Sequence, residues 1–207
     1  MQLEPHNQKD GYRVWLEPTE QDLLREYYEE DARRKLAISL MLHGLRSEEV
    51  PRVTKENVRS LVSEEEAYKL GIFGKDTTGK KKDGKWRETP IDRDTKQLIY
   101  TLAALPGMHK DDPVIDVGKR TVQRWVTEAA EELAAETGDD DWLELSAHDL
   151  RRSWATTVFY RLNGSDVAKS VIMRWGGWSN QQVFEQNYLG REPDELAAAL
   201  MTKAGLR

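Results

Sequence analysis

The sequence predicts a mainly α-helical domain with a small antiparallel β-sheet, an α+β fold. Most of the chain consists of segments in which apolar residues recur at helical spacing. Two strand-like segments flank an Asp-Gly pair at 83–84, which is a strong signal for a β-hairpin. The 207 residues are 38% hydrophobic and include seven tryptophans, so one domain of this length can bury a substantial core.

The elements before this hairpin are predicted from capping residues and a glycine stop. Residues 1–17 are expected to form an N-terminal arm. Thr19 is predicted to cap the first helix, with Asp22 as the acidic member of a capping box. A second helix is predicted over 32–44, where a glycine ends it, and a short third helix over 54–61.

The strands are predicted at 69–74 and 85–91, and helices follow them to the end of the chain. Apolar stripes and glycine breaks predict these helices over 93–105, 119–136, 148–162, 165–175, 180–188 and 192–205. The last helix carries an apolar stripe that packs either on its own core or on a neighbouring subunit. The stripe is formed by Leu196, Leu200 and Met201.

Composition bounds the possible partners and compartments. The net charge is −6 and the isoelectric point about 5.4, which argues against a generally basic nucleic-acid-binding protein. Basic residues nevertheless cluster locally, at 33–35, 80–87, 119–120 and 151–152. There is no apolar run of about 20 residues, no signal-peptide core and no cysteine. We therefore expect an intracellular, cytoplasmic protein without disulfides or thiolate metal sites.

The helix predicted at 148–162 places a cation on its apolar face. Arg151 falls among apolar side chains on this face, and His148 lies one turn before it. A buried charge is costly unless it is compensated. Three arrangements would compensate Arg151: a structural ion pair, a side chain that reaches solvent past its neighbours, or a bound anion. The opposite, polar face is predicted to contact water and contains Asp149, Arg152, Ser153, Thr156 and Tyr160.

Two segments before this helix contain further candidates. Arg46 follows a helix-ending glycine, and Glu49, three residues on, is placed to orient it on an anion. An exposed ion pair of little energetic value explains the same two residues. Lys75 lies at the end of the first hairpin strand, where a lysine either delivers a proton or simply faces solvent.

Two segments after it complete the set. Gly176 and Gly177 allow a tight turn that presents the indole N–H of Trp178, a group that can only donate. The simpler interpretation is a tryptophan in the core. Tyr188 precedes a helix-ending glycine, where packing is the ordinary role of a tyrosine.

In this order, the segments resemble the catalytic domain of tyrosine recombinases, the phage-integrase family. HGLRSEE at 43–49 resembles the family's Gly-x-Arg-x-x-Glu box, and HDLRRSWAT at 148–156 resembles its His-x-x-Arg box. GGWSNQQVFEQNY at 176–188 is similar to a Cre-type ending, with tryptophan where other members often have histidine. GKDTTG at 74–79 resembles the hairpin-lysine segment.

The resemblance covers roughly 20–205 and departs from the family pattern in two places. His43 stands where a threonine is more usual. Residues 1–17 are too few for the separate N-terminal DNA-clamping domain that such recombinases usually carry. We expect 18–207 to be a single catalytic domain. The protein is then a minimal member of the family, a member that relies on a partner, or a fragment.

The resemblance implies cleavage and rejoining of DNA strands through a 3′-phosphotyrosyl intermediate, without metal or nucleotide cofactor. Two arginines would clamp the phosphate, the imidazole and indole would add donors, the tyrosine would attack, and the lysine would protonate the leaving oxygen. The implied catalytic set is Arg46, Lys75, His148, Arg151, Trp178 and Tyr188, with Glu49 in support. The implied partners are double-stranded DNA and further copies of the chain, as a tetramer on DNA.

Clustered basic residues are the expected DNA contacts. They are Lys80, Lys81, Lys82, Lys85, Arg87 and Arg152, with Arg120 and Arg124 as weaker candidates. Two alternatives share most of these features. One is a nicking-closing enzyme of the type IB topoisomerase kind, and the other is a DNA-binding regulator that keeps the fold without catalysis.

The acidic excess leads to a prediction about salt, because such an excess is a trait of halophilic proteins. The screening length is about 30 Å at 0.01 M salt and about 3 Å at 1 M, so repulsion between acidic side chains is suppressed only at high salt. We expect the protein to fold in molar salt and to unfold in dilute buffer, as measured by circular dichroism across a salt series. Full stability in dilute buffer would contradict this hypothesis.

Overall fold

A computed structural model of the chain describes residues 1–6, 10–62, 66–74, 85–162 and 166–206. The described residues form eight α-helices and two small antiparallel sheets, which confirms the predicted fold class. The helices are α1 (Pro18–Glu26), α2 (Ala32–Met41), α3 (Arg93–Ala103), α4 (Lys119–Thr137), α5 (Ala147–Arg161), α6 (Asp166–Gly176), α7 (Gln181–Tyr188) and α8 (Asp194–Lys203). The strands are β1 (Gln2–Pro5), β2 (Tyr12–Trp15), β3 (Val58–Ser60), β4 (Tyr68–Gly74) and β5 (Lys85–Ile91).

The larger sheet has the order β3-β4-β5 and contains the predicted hairpin. Strands β4 and β5 pair in register from Tyr68 opposite Ile91 to Gly74 opposite Lys85. The Asp-Gly pair at 83–84 lies outside the described residues. Side chains of β5 alternate, so that positions 87, 89 and 91 are buried while 85 and 86 are exposed.

The predicted helix over 54–61 is wrong beyond its first turn. Thr54 and Asn57 form a reciprocal capping pair around a single 3-10 turn, Lys55–Asn57. The next residues leave the helical conformation because β3 pairs with β4, with Val58 opposite Leu70. A β-branched side chain at this position suits the pleated sheet better than a helix.

The first helix begins two residues earlier than predicted. Glu17 caps it and forms a reciprocal pair with Glu20, whose carboxylate accepts from the Glu17 N–H at 2.7 Å. Pro18 suits the first helical position, since its fixed φ is helical and its missing N–H would be unbonded there anyway. Asp22 instead forms an ion pair with Arg25 at 2.7 Å.

The N-terminal arm is a β-hairpin in the structure. Strands β1 and β2 pair from Gln2 opposite Trp15 to Pro5 opposite Tyr12. Strand β2 packs against α5, and its residues Val14 and Trp15 are 0% and 2% exposed. The N-terminal hairpin, formed by strands β1 and β2, is therefore part of the packed structure around α5.

The hydrophobic core lies in two clusters. The larger surrounds α2, whose residues from Leu36 to Met41 are almost fully buried, and it includes the apolar stripe of α4. The smaller lies between α5, α6 and α7 and contains Trp154, Ala155, Ile172, Trp178 and Phe184. No helix in the described part of the chain is long and apolar enough to cross a membrane.

Candidate active site

The turn that ends α2 forms the first side of the site. Gly44 has φ of +86°, and a Cβ at this position would lie 2.6 Å from the Trp154 ring, so glycine is required on both counts. Beyond the turn, the Arg46 N–H donates to Glu49 Oε2 at 2.7 Å. The Arg46 guanidinium donates to Glu49 Oε1 at 2.9 Å. The turn therefore places Arg46 beside a fully buried carboxylate, while 22% of the Arg46 side chain remains accessible to solvent.

Glu49 is the buried centre of this side of the site. Its side chain is 0% exposed and also accepts from Arg87 Nη2 at 2.6 Å. Burial by itself raises the pKa of the Glu49 carboxyl, but the charges of Arg87, Arg151 and Arg46 outweigh this effect and lower the pKa overall. The carboxylate is thus held ionised by the surrounding guanidinium groups.

Arg87 corrects one of the predicted DNA contacts. Its side chain is 3% exposed and donates to the backbone carbonyls of Trp175 at 2.7 Å and Gly44 at 3.1 Å, besides Glu49. Burial lowers the pKa of its guanidinium. A guanidinium enclosed in this way cannot also serve as a surface contact, so Arg87 connects β5 to the turn after α2 and to the end of α6.

Arg151 points into the molecule, as the sequence predicted, and is 0% exposed. Its two terminal nitrogens donate to backbone carbonyls, Nη1 to Gly44 and Nη2 to Gly176 at 2.5 Å. Its guanidinium lies 4.0 Å from the centre of the Trp178 ring. The observed partners are therefore carbonyls and an aromatic face, neither the ion pair nor the solvent route that the sequence left open.

The charges around Arg151 are unbalanced. Burial lowers the pKa of its guanidinium well below the usual value, and the nearby charges of Arg46 and Arg87 lower it further, while Glu49 opposes them. Three guanidinium groups therefore share one buried carboxylate. Such a cluster favours an additional anion.

Tyr188 and His148 form the second side of the site. Tyr188 is the last residue of α7, and its hydroxyl lies 2.9 Å from His148 Nε2 in the first turn of α5. The two rings meet edge to face, with centres 5.2 Å apart. The imidazole is exposed, outside the apolar face on whose edge the sequence placed it. The phenol is half-buried, and its ring centre is 5.8 Å from the Arg151 guanidinium carbon.

Trp178 packs as a core residue, and its buried indole N–H is unpaired among the described residues. It is 9% exposed and packs against the rings of Trp154, Phe184 and Tyr188, as expected of a core residue. A Cβ on Gly176 would lie 1.9 Å from its ring, so glycine is required there. Its Nε1 has no acceptor among the described residues, and neither has Arg151 Nε. Buried donors without acceptors are rare and costly, which identifies this point as a place where a ligand acceptor would be favourable.

The polar face of α5 is buried, contrary to the prediction that it contacts water. Asp149, Arg152, Ser153 and Thr156 are at most 7% exposed. Strand β2 and the end of α7 cover this face and bond to its polar groups, so the polar residues face backbone instead of solvent. Arg152 is consequently no surface DNA contact: it pairs with Asp149, and its Nε donates to the carbonyl of Asn187 at 2.9 Å.

A cleft of about 740 Å³ opens between β5 and α6, beside the guanidinium cluster. Its wall carries cations and an exposed tryptophan, including Lys69, Lys85, Arg174 and Trp86. Lys75, Lys80, Lys81 and Lys82 lie outside the described residues. Of the weaker candidates, Arg124 pairs with Glu128 at 3.2 Å and Arg120 is exposed.

The described residues contain no group of three or more His, Cys, Asp or Glu side chains that could hold a metal ion. The burial of Arg87 was not predicted from the sequence, although Arg87 is one of the three inward positions of β5, which are 87, 89 and 91. That alternation could have marked Arg87 as inward-facing, although it could not separate Arg87 from Lys85, which shares this face at the exposed end of the strand. The covered polar face of α5 had no comparable signal.

Solved structures share this fold. No protein-family model and no curated protein matches the sequence. The crystal structure of XerA recombinase matches with a TM-score of 0.65 and 18% identity over 92% of this chain and 65% of that protein. XerH site-specific recombinase bound to difH substrate in a pre-cleavage complex matches with a TM-score of 0.62 and 17% identity. The match covers 90% of this chain and 53% of XerH. The Tn1549 transposon integrase in complex with transposon right end DNA matches with a TM-score of 0.63 and 13% identity. The match covers 96% of this chain and 68% of the integrase chain.

The chain therefore has the catalytic-domain fold of tyrosine recombinases, which confirms the fold that the sequence resemblance implied. It spans about two thirds of the length of XerA recombinase and about half of that of XerH.

The buried carboxylate leads to a prediction about stability and pH. Removing one partner of a buried ion pair leaves uncompensated charge, so Glu49→Gln should lower the free energy of unfolding by about 3–5 kcal/mol at pH 7. Because the folded-state pKa of Glu49 is lowered, its stabilisation is complete above the unfolded value of about 4.3 and is lost as the pH falls through the folded value. The difference between wild type and variant should therefore shrink at acid pH, as measured by urea unfolding at pH 7 and pH 3.

Glu88→Gln is the matched control for this measurement. Glu88 lies next to Arg87 on β5, but its partner Arg59 is on the surface with a side chain 49% exposed. A surface pair of this kind contributes about 0–1 kcal/mol. Equal losses for the two variants at pH 7, or a Glu49→Gln loss that is independent of pH, would contradict the assignment of Glu49 as the buried centre of the cluster.

Proposed function

We propose that this chain cleaves and rejoins DNA strands through a 3′-phosphotyrosyl intermediate, as a tyrosine recombinase. One observation carries the proposal. The Tyr188 hydroxyl lies 2.9 Å from His148 Nε2, next to a cluster in which three arginines share one buried carboxylate. A nucleophile with a proton acceptor beside a site short of negative charge suits attack on a phosphodiester.

The guanidinium cluster would bind the scissile phosphate. Arg46 is the member with access to solvent, so it would contact a phosphate oxygen directly while Glu49 holds its orientation. The unpaired Nε of Arg151 and Nε1 of Trp178 would supply two further donors once DNA is bound. Charge grows on the non-bridging oxygens during the reaction, and donors aimed at these atoms lower the barrier.

The site residues account for each bond and each proton in the proposed cleavage step. Tyr188 Oη would form a bond to phosphorus as the bond from phosphorus to the 5′-oxygen breaks. Neutral His148 would accept the phenol proton through Nε2. Lys75 would protonate the departing 5′-oxygen, in a segment outside the described residues. Rejoining is the reverse, with a 5′-hydroxyl attacking the phosphotyrosine, so no bond energy is lost and no nucleotide is consumed.

Double-stranded DNA would be the partner. The cations Lys69, Lys85 and Arg174 line the cleft beside the cluster, where a phosphate backbone would be neutralised. The Tn1549 integrase, which shares the fold, forms a complex with transposon right end DNA, and XerH binds its difH substrate. Residues 18–207 would form the catalytic domain, with the N-terminal hairpin packed on it. It would work as a homo-oligomer on DNA, a tetramer, and exposed Leu200 and Met201 on α8 are suited to a contact between copies.

Covalent trapping tests this proposal. Nicked duplexes from DNA flanking the gene lose the 5′-hydroxyl fragment after cleavage, so a phosphotyrosine adduct accumulates and migrates slowly on a denaturing gel. We expect the adduct with wild type and at least a 100-fold loss with Tyr188→Phe, which lacks the nucleophile. Tyr27→Phe, an exposed tyrosine after α1, is the control that should keep full activity.

The outcomes separate the proposal from its alternatives. DNA binding without any adduct would contradict strand transfer and favour a DNA-binding regulator. An adduct together with relaxation of supercoiled plasmid at single sites, without exchange between paired sites, would favour a nicking-closing enzyme.

A further inference from the structure

The last turn of α7 is held by side chains from outside the helix. The final carbonyls of any helix lack partners within it, and short helices fray at this end. Here three successive carbonyls, at 186, 187 and 188, all accept hydrogen bonds. Arg13 donates to the Gln186 carbonyl at 2.6 Å, and Arg152 donates to the Asn187 carbonyl at 2.9 Å. The Tyr188 carbonyl accepts from Trp15 at 3.0 Å and from Thr156 at 2.9 Å.

Two of these donors belong to strand β2 of the N-terminal hairpin and are themselves buried. Trp15 is 2% exposed and Arg13 is 9% exposed. The Trp15 ring also lies against the backbone where the chain leaves α7, since a Cβ on Gly190 would be 2.9 Å from it. The guanidinium has a second advantage, because a cation at a helix C-terminus interacts favourably with the helix dipole.

Strand β2 is in turn anchored to the helix that carries His148 and Arg151. The Val14 N–H donates to Asp149 Oδ1 at 3.1 Å, and the N–H of Leu16, directly after the strand, donates to Ser153 Oγ at 2.8 Å. Asp149 also caps α5, accepting from the Ser146 N–H at 2.8 Å. The start of α5 and the end of α7 are thereby held against the same strand.

This arrangement relates the two halves of the site to each other. His148 lies in the first turn of α5, and Tyr188 is the last residue of α7. The strand fixes the backbone at both places, so it fixes the distance from the phenol to the imidazole and to Arg151. A misplacement of about 1 Å between reacting groups can cost about 100-fold in rate.

We propose that Arg13 and Trp15 are positioning residues for Tyr188: by holding the last carbonyls of α7, strand β2 sets where the nucleophile stands in the site. The consequence for catalysis rests on the proposed strand-transfer function. The consequence for the orientation of the phenol does not, and the two are measured separately.

The kinetic test compares the cleavage rate with DNA affinity. Trp15→Phe removes the indole N–H but keeps a ring, and Arg13→Met removes the donor but keeps the length. At saturating nicked DNA, each variant should form the adduct about 10-fold more slowly, and the double variant about 100-fold. The dissociation constant for DNA should stay within about twofold, because neither residue lies in the cleft or the guanidinium cluster. Arg13→Lys should recover most of the rate, since it restores a charged donor.

Trp125→Phe is the matched control for lost packing. Trp125 lies on α4 in the larger core cluster and is 7% exposed, so the same substitution weakens the fold away from α7. At a temperature where all variants are folded by circular dichroism, it should cleave at the wild-type rate. If Trp15→Phe cleaves as fast as wild type, or slows only as much as Trp125→Phe, the positioning role is refuted.

A spectroscopic test does not depend on activity. With 3-fluorotyrosine incorporated at position 188, fluorine NMR of the wild-type background should give one resonance, shifted by the neighbouring rings of Trp178 and His148. In the Trp15→Phe and Arg13→Met backgrounds, the resonance should move or divide, and it should be unchanged with Trp125→Phe. An unchanged resonance in the first two backgrounds would overturn the inference, even if strand transfer is confirmed. A moved resonance without any adduct in wild type would support positioning while rejecting the proposed function.

Discussion

The site depends on one buried carboxylate and one backbone carbonyl that its arginines share. Glu49 accepts from Arg46 and Arg87, and the Gly44 carbonyl accepts from Arg87 and Arg151. The turn after α2, strand β5 and helix α5 therefore meet through these two acceptors. Because three cations share one carboxylate, the arrangement is internally bonded yet still short of negative charge. The same interactions that hold these elements together thus leave the site prepared for an anion.

Helix α5 serves the site with both of its faces. One face carries His148 and Arg151 towards Tyr188 and Trp178. The other face is polar but buried, and its groups bond to strand β2 and to the end of α7. A buried polar network of this kind is stable only when its groups are satisfied, and here backbone N–H and C=O groups satisfy much of it. Neighbouring residues of α5 therefore either point into the candidate site or hold the backbone next to Tyr188.

The sequence predicted the helices and the main hairpin because helical periodicity and turn residues are local signals. It also selected the residues that meet around Glu49 and Tyr188, through short motifs whose spacing is specific. Arg87 and Arg152 were misassigned because charge clusters in a sequence do not distinguish a cation facing solvent from one facing carbonyls. That distinction depends on the ends of α6 and α7, which are distant in the sequence and are brought to these side chains only by the tertiary fold. The N-terminal hairpin was likewise missed, since its burial comes from packing on α5.

In the proposed strand transfer, unbalanced positive charge in the Arg46–Arg87–Arg151 cluster would lower the barrier, and a substrate with a neutral scissile group tests this role of charge. A methylphosphonate at the scissile position lacks the negative charge that Arg46, the solvent-facing member, would neutralise. Arg46→Ala should slow adduct formation at least about 100-fold on the normal phosphodiester. On the methylphosphonate, the loss should be much smaller, on the order of 10-fold or less. An equal loss on both substrates would show that Arg46 acts through structure alone and that its charge does not assist the reaction.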